Sequence, residues 1–127
     1  MKSFSKSWIK SKNPKKQRKY RANAPSKIKE NFLSIHLDKN LKKKYLCRNI
    51  RARIGDKIKI LRGNFKGQEV KIESVDVKHS KIYSSKIVRT KKEGSTTKIP
   101  LEPSNLMLTD LNLDDKKRLK ILERKKK

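Results

Sequence analysis

The residues able to do chemistry in this chain are mostly cations. One group lies in the stretch Ile58 to Ile72, IKILRGNFKGQEVKI, where Gly63 and Gly67 bracket Asn64, Phe65 and Lys66, with Arg62 just before them. A glycine loop that cradles a nucleotide needs four residues between its glycines, then Lys and Ser or Thr, then a helix. Here three residues lie between, Gln68 follows, and the next segment alternates as a strand does. That excludes a P-loop. A hairpin fits instead, with Gly63 and Gly67 where positive φ or close backbone approach is needed. Its tip would expose Arg62 and Lys66 for phosphates, Asn64 for a base edge or ribose hydroxyl, and Phe65 for stacking. That set suits RNA.

A second group occupies the first 24 residues: Lys12, Lys15, Lys16, Arg18, Lys19 and Arg21, with Trp8 and Tyr20 among the charges. The lysines can track phosphates. The two aromatics either stack on bases and ribose or pack against the protein's own barrel or a neighbour, and both readings stand at this point. A third group, Lys42, Lys43 and Lys44, is either a solvated face or a set of phosphate contacts.

Other candidates carry less. His36, His79 and the single Cys47 are too few for a zinc site, and one cysteine excludes an internal disulfide. Nothing in the sequence places the two histidines together as an acid–base pair. Asp56 is best explained as a turn residue before a strand, and Asp114–Asp115 as a helix cap. No catalytic constellation, cofactor site, metal site or small-molecule substrate is expected.

Composition supports a polyanionic partner. Lys plus Arg number 38 against 12 Asp plus Glu, a net charge of +26 on 127 residues. By segment the balance is 16 minus 2 over residues 1–50, 14 minus 7 over 51–111, and 8 minus 3 over 112–127. Such self-repulsion is relieved by a polyanion, and nucleic acid also releases condensed counterions on binding. No apolar stripe accompanies the basic runs, no run of 18 apolar residues exists, and no apolar stretch follows the basic N-terminus. Membrane insertion and a secretory signal are therefore not expected, and an intracellular soluble protein is.

The elements that must position these cations follow from the apolar pattern. Residues 1–27 hold two of the Leu, Ile, Val and Phe residues, whereas residues 50–113 hold 19, so only the latter can bury a core of their own. Residues 1–24 are expected to be a basic RNA-binding arm, disordered alone. Residues 25–50 should form two short helices, one from Ser26 as cap and one from Asp38 as cap. Residues 51–111 alternate with period two in many short runs, with a phase change and a bulge near Glu73–Ser74, which suggests a small closed barrel. Residues 112–127 should form a C-terminal basic helix capped by Asp114, with Leu119 and Leu122 as its apolar contacts.

The run from Asp56 to Gly67, DKIKILRGNFKG, resembles the KOW motif of ribosomal proteins and transcription-elongation factors. The order of QRKYRANAPSKIKENFLS, LDKNLKKKY, RARIGDKIKILRG, KEGSTTKIPLEPSNLMLT and KKRLKILERK is similar to the universal L-twenty-four family of large-subunit ribosomal proteins. Its eukaryotic form is called L-twenty-six, and a helix after LEPSN is typical of that branch. The resemblance runs from about Asn13 to the end. It implies a mainly β fold, a small Src-homology-three-like barrel with a basic N-terminal arm, short N-terminal helices and a C-terminal helix. It also implies a structural, non-enzymatic role. The protein would bind the 5′ region of large-subunit rRNA near the peptide tunnel exit, beside neighbouring large-subunit proteins, and support assembly. The location implied is the cytoplasmic ribosome, with assembly in the nucleolus if the host is eukaryotic. The closing glycine of the motif, due near Val70–Lys71, is missing. An elongation-factor module would bring further domains and a more acidic balance. An RNA-directed enzyme would need a pocket with perturbed groups. Neither matches this chain.

Overall fold

The computed structural model describes Phe4, Ser5, Ser7 and residues 10–126, so the expectation for Trp8 lies outside the described residues. The arm is not without regular structure. Pro14–Asn23 form helix α1, because Asn13 Oδ1 accepts the Lys15 N–H at 3.0 Å, Pro14 pre-sets the first turn, and Lys, Gln, Arg and Ala favour the helix. Gln17, Tyr20 and Ala24 recur at helical spacing on its inner side. Tyr20 lies 4.9 Å from the Phe4 ring and 6.4 Å from Phe32, and the Arg21 guanidinium stands 5.2 Å over Phe32.

The next segment departs from expectation in two ways. Helix α2 spans Ser26–Lys29 and tightens into a 3-10 turn at Glu30–Leu33; its cap residue is Pro25, so Ser26 is the first helical residue rather than the cap. Two strands then appear where only helices were expected. Strand β1, Ser34–Leu37, and β2, Asn49–Arg51, flank helix α3, Lys39–Tyr45. Asp38 precedes α3 as anticipated, though its side chain makes no capping bond. Ile35 and Leu37 are fully buried and alternate with Ser34 and His36, a signal too short to stand out beside the helical residues around it.

The remaining strands are β3 Lys57–Ile60, β4 Glu69–Lys71, β5 Ser74–Asp76, β6 Lys81–Tyr83, β7 Val88–Thr90, β8 Thr96–Lys98 and β9 Leu106–Asp110. The fold is small, β-rich and KOW-like. Its pairing is not one closed ladder but a five-stranded sheet, β2-β1-β9-β3-β4, with two separate hairpins, β5–β6 and β7–β8. A single bridge between Ile82 and Leu101 links β6 to the segment before β9. The phase change after Ile72 marks a change of sheet, not a bulge: β4 ends at Lys71 and β5 pairs elsewhere. The five-stranded sheet and the β5–β6 hairpin share one core, centred on Ile35, Ile58, Ile72, Ile82, Ile87 and Leu108. Near the expected closing glycine stands Val70, which faces Ile58 across the ladder and packs into that core.

Helix α4, Lys116–Lys126, is capped by Asp115, not Asp114: Asp115 Oδ1 accepts the Lys117 N–H at 2.7 Å. That bond, with the neighbouring Arg53 cation, holds the Asp115 carboxyl below the usual carboxylate range. Leu122 is buried, but Leu119 stays exposed, and the inward place one turn before Leu122 belongs to Arg118. Its guanidinium grips Asp56 with both terminal nitrogens, at 2.6 and 2.7 Å. Asp56 is therefore far more than a turn residue. Its carboxylate also accepts the N–H groups of Arg53 and Asn112, both at 2.9 Å. Arg118 in turn donates to the carbonyls of Asn112 at 2.8 Å and Arg51 at 3.2 Å. Gly55, beside this pair, sits at φ +94°, and a Cβ there would stand 2.8 Å from the Asn112 side-chain amide, which would have to move aside.

Arg118→Met leaves the Asp56 charge buried and uncompensated, which should cost about 3–5 kcal/mol in urea denaturation. An unchanged midpoint would show that α4 is held by other contacts.

Candidate nucleic-acid interface

The β3–β4 hairpin builds the loop around Gly63 and Gly67. Gly67 N–H donates to the Ile60 carbonyl at 2.8 Å, and Ile60 N–H to Gln68 at 3.0 Å, closing its neck. Inside, Lys66 N–H donates to Gly63 at 3.1 Å and Gln68 N–H to Phe65 at 3.2 Å. Gly63 and Gly67 adopt φ of +95° and +88°, with nothing near either α-carbon's open side. Backbone conformation, not space, demands glycine here. Arg62, Asn64 and Lys66 are exposed at the tip. Phe65 is half-buried and packs against the core.

On α1, Lys15, Lys16, Arg18 and Lys19 are exposed, as is Lys12 before it. Tyr20 is occupied by Phe4 and Phe32, so of its two readings the packed one describes the fold. Arg21 is exposed yet stacked on Phe32. Lys42 and Lys43 are exposed on α3, while Lys44 Nζ sits 5.3 Å over the Tyr45 ring. Helix α4 packs against α3 and adds exposed Lys116, Lys117 and Lys120, on the segment expected to be a basic helix.

The charge is directed outward. Among the described residues, carboxylates pair with Arg51, Arg53, Lys57, His79, Lys81, Lys98 and Arg118. None of these is an arm cation, Lys42, Lys43, Arg62 or Lys66. His79 lies in the β5–β6 turn, where its ring meets Asp76 at 2.7 Å and holds that carboxyl below the usual range. His36 lies in β1. His36 thus belongs to the five-stranded sheet and His79 to the turn of the separate β5–β6 hairpin.

A β-rich body with a glycine-shaped basic hairpin and a basic helical arm is the architecture of a KOW-type protein. Residues 11–125 match the family model that describes the eukaryotic ribosomal proteins L26 and their archaeal L24 counterparts. The chain is 41% identical over 117 residues to the large ribosomal subunit protein uL24 of Methanocella arvoryzae, covering 92% of this chain and 94% of that one. It is 41% identical over 115 residues to uL24 of Methanosphaera stadtmanae, covering 91% and 98%. Against uL24 of Korarchaeum cryptofilum the identity is 41% over 117 residues, covering 92% and 89%. The chain belongs to this family of ribosomal proteins. It is not an enzyme.

Gly63→Val forces a β-branched residue into positive φ, a strain of about 1–3 kcal/mol. Amide shifts should change around residues 60–68 and leave β1 and β9 in place. An unaltered spectrum would refute the role given to Gly63.

Proposed function

We propose that this protein is a structural constituent of the large ribosomal subunit, binding the 5′ region of large-subunit rRNA near the exit of the peptide tunnel and supporting subunit assembly. The observation that carries this reading is the exposed, carboxylate-free set of cations on α1 and at the β3–β4 tip, on a chain of net charge +26. The names of the similar large-subunit proteins support the same assignment. Its partners are rRNA and other ribosomal proteins, those near the tunnel exit among them, and its location is the ribosome.

The mechanism is binding without turnover. The sheets form a platform that does not need to rearrange. Arg62 and Lys66 take phosphates, and Asn64 takes a base edge or ribose hydroxyl. Lys42 and Lys43 add phosphate contacts from α3. Lys12, Lys15, Lys16, Arg18 and Lys19 follow the RNA backbone along the arm. Tyr20 and Arg21 act by bracing α1 against Phe32, which fixes where those lysines stand.

Crosslinking and sequencing of RNA bound in cells, with sedimentation alongside, tests the assignment. Crosslinks concentrated in the 5′ part of large-subunit rRNA, with the protein in large subunits, are expected. Crosslinks scattered over nascent transcripts would favour an elongation role instead. For the arm, joint charge reversal of Lys15, Lys16, Arg18 and Lys19 should weaken rRNA binding and flatten its salt dependence by a slope of about 3, with the sheets still folded. An unchanged slope would remove the arm from the interface.

A further inference from the structure

The β7–β8 ribbon gains little from the core that stabilises the other strands. All six of its strand residues are exposed. Only its base is anchored, by buried Ile87 and half-buried Ile99, where the Ile99 N–H donates to the Ile87 carbonyl at 3.0 Å. Its turn is closed by the Lys91 N–H on Ser95 at 2.8 Å. A two-stranded hairpin of this kind is marginal in water by itself. Its sequence is also charged in one direction, with Lys86, Arg89, Lys91, Lys92 and Lys98 against Glu93 alone.

Register decides which cations are available. Arg89 faces Thr97 and Val88 faces Lys98, so alternation puts Arg89 and Thr97 on the face opposite Lys98. Lys98 is held by Glu73 of the body at 2.7 Å. Arg89 and Thr97 are thereby turned away from that contact. Together with Thr90, Lys91, Lys92 and Lys98 they line a shallow groove of about 580 Å³, which wraps the ribbon rather than keeping to one face. The ribbon carries no aromatic residue, and Val88 is its only exposed large hydrophobic side chain, so it lacks the apolar anchor on which a protein partner would close. A phosphate backbone needs only cations and hydroxyls.

We propose that the β7–β8 ribbon is a further RNA-binding site, in which Arg89, Lys91 and Lys92 hold backbone phosphates and the Thr97 hydroxyl donates to a phosphate or ribose oxygen. This rests on the rRNA-binding role argued above. It adds a fourth contact to those of the arm, α3 and the β3–β4 tip. RNA then supplies the covering surface that the ribbon lacks in the free protein.

The test is the full chain carrying R89Q, K91Q and K92Q together, bound across a salt series to a transcript of the 5′ region of large-subunit rRNA, with hydroxyl-radical footprinting. These side chains are exposed, and an amide spectrum verifies that the fold is retained. The expected result is weaker binding, a slope of log K against log salt shallower by about 2–3, and loss of one discrete block of backbone protection. An unchanged slope and footprint overturn the proposal. So does a variant that keeps both yet fails to join subunits, which would make the ribbon a protein contact. If the wild-type chain prefers this transcript no more than an unrelated RNA, the rRNA reading fails. The slope difference on the unrelated RNA still decides the ribbon, because phosphate contacts do not depend on sequence.

Discussion

Asp56 and Arg118 are both removed from water, at 0% and 2% exposure, and the rest of the structure is arranged so that neither charge is left alone. An isolated buried ion would be prohibitive, and even a paired one needs its remaining valences satisfied. Here the carboxylate takes both arms of the guanidinium and two backbone N–H groups, while the guanidinium's terminal nitrogens reach two carbonyls and its buried Nε is left without an acceptor. Two segments far apart in sequence, residues 51–56 and 112–118, are joined at this one point. The pair also fixes the rotation of α4, since Arg118 and Leu122 must face inward together. The Asp56 carbonyl accepts the Ile72 N–H at 2.9 Å, so the same residue pins the open end of the β3–β4 hairpin, opposite its basic tip.

Burying one arginine and exposing nearly every other cation divides the molecule by charge. The inside is aliphatic, with Ile and Leu dominating. The outside carries a field that acidic partners within the chain neutralise only locally, chiefly along the β4–β5, β6 and α4 side. Among the described residues, the cations of the arm and the β3–β4 tip have no carboxylate partner. Cations arranged in this way repel one another in the free protein, so the surface is poised for a polyanion rather than for solvent.

The sequence made some of this plain and hid the rest for physical reasons. The hairpin at Gly63 and Gly67 was visible because positive φ has few residue solutions. The strands around Ile58, Ile82 and Leu108 were visible because their alternation is strong or their boundaries are sharp. Strands β1 and β2 were hidden because three or four residues beside helical neighbours give too short a period. Helix α1 was hidden because its stability comes from capping and propensity, with hardly any apolar pattern to see. Arg118 looked like one more lysine-run residue. Its burial depends on Asp56, 62 positions away, and no local signal joins the two. Phe65 showed as a free ring for the same reason: only the fold reveals the core beneath it.

Strand β9 lies between β1 and β3, pairing parallel with the first and antiparallel with the second. It is the last strand to be synthesised, and it occupies the centre of the sheet. During translation, β1–β2 and β3–β4 can each form as local antiparallel units, but they have nothing to join them until residues 106–110 emerge. Arg118 follows later still. Between the completion of β4 and the arrival of β9 the growing chain therefore holds two unjoined halves with open edges, and its folding is set by a late, non-local closure. The basic arm emerges before either half. A young chain is therefore strongly cationic well before it has a completed sheet, and that self-repulsion opposes pairing between the open edges of two such chains.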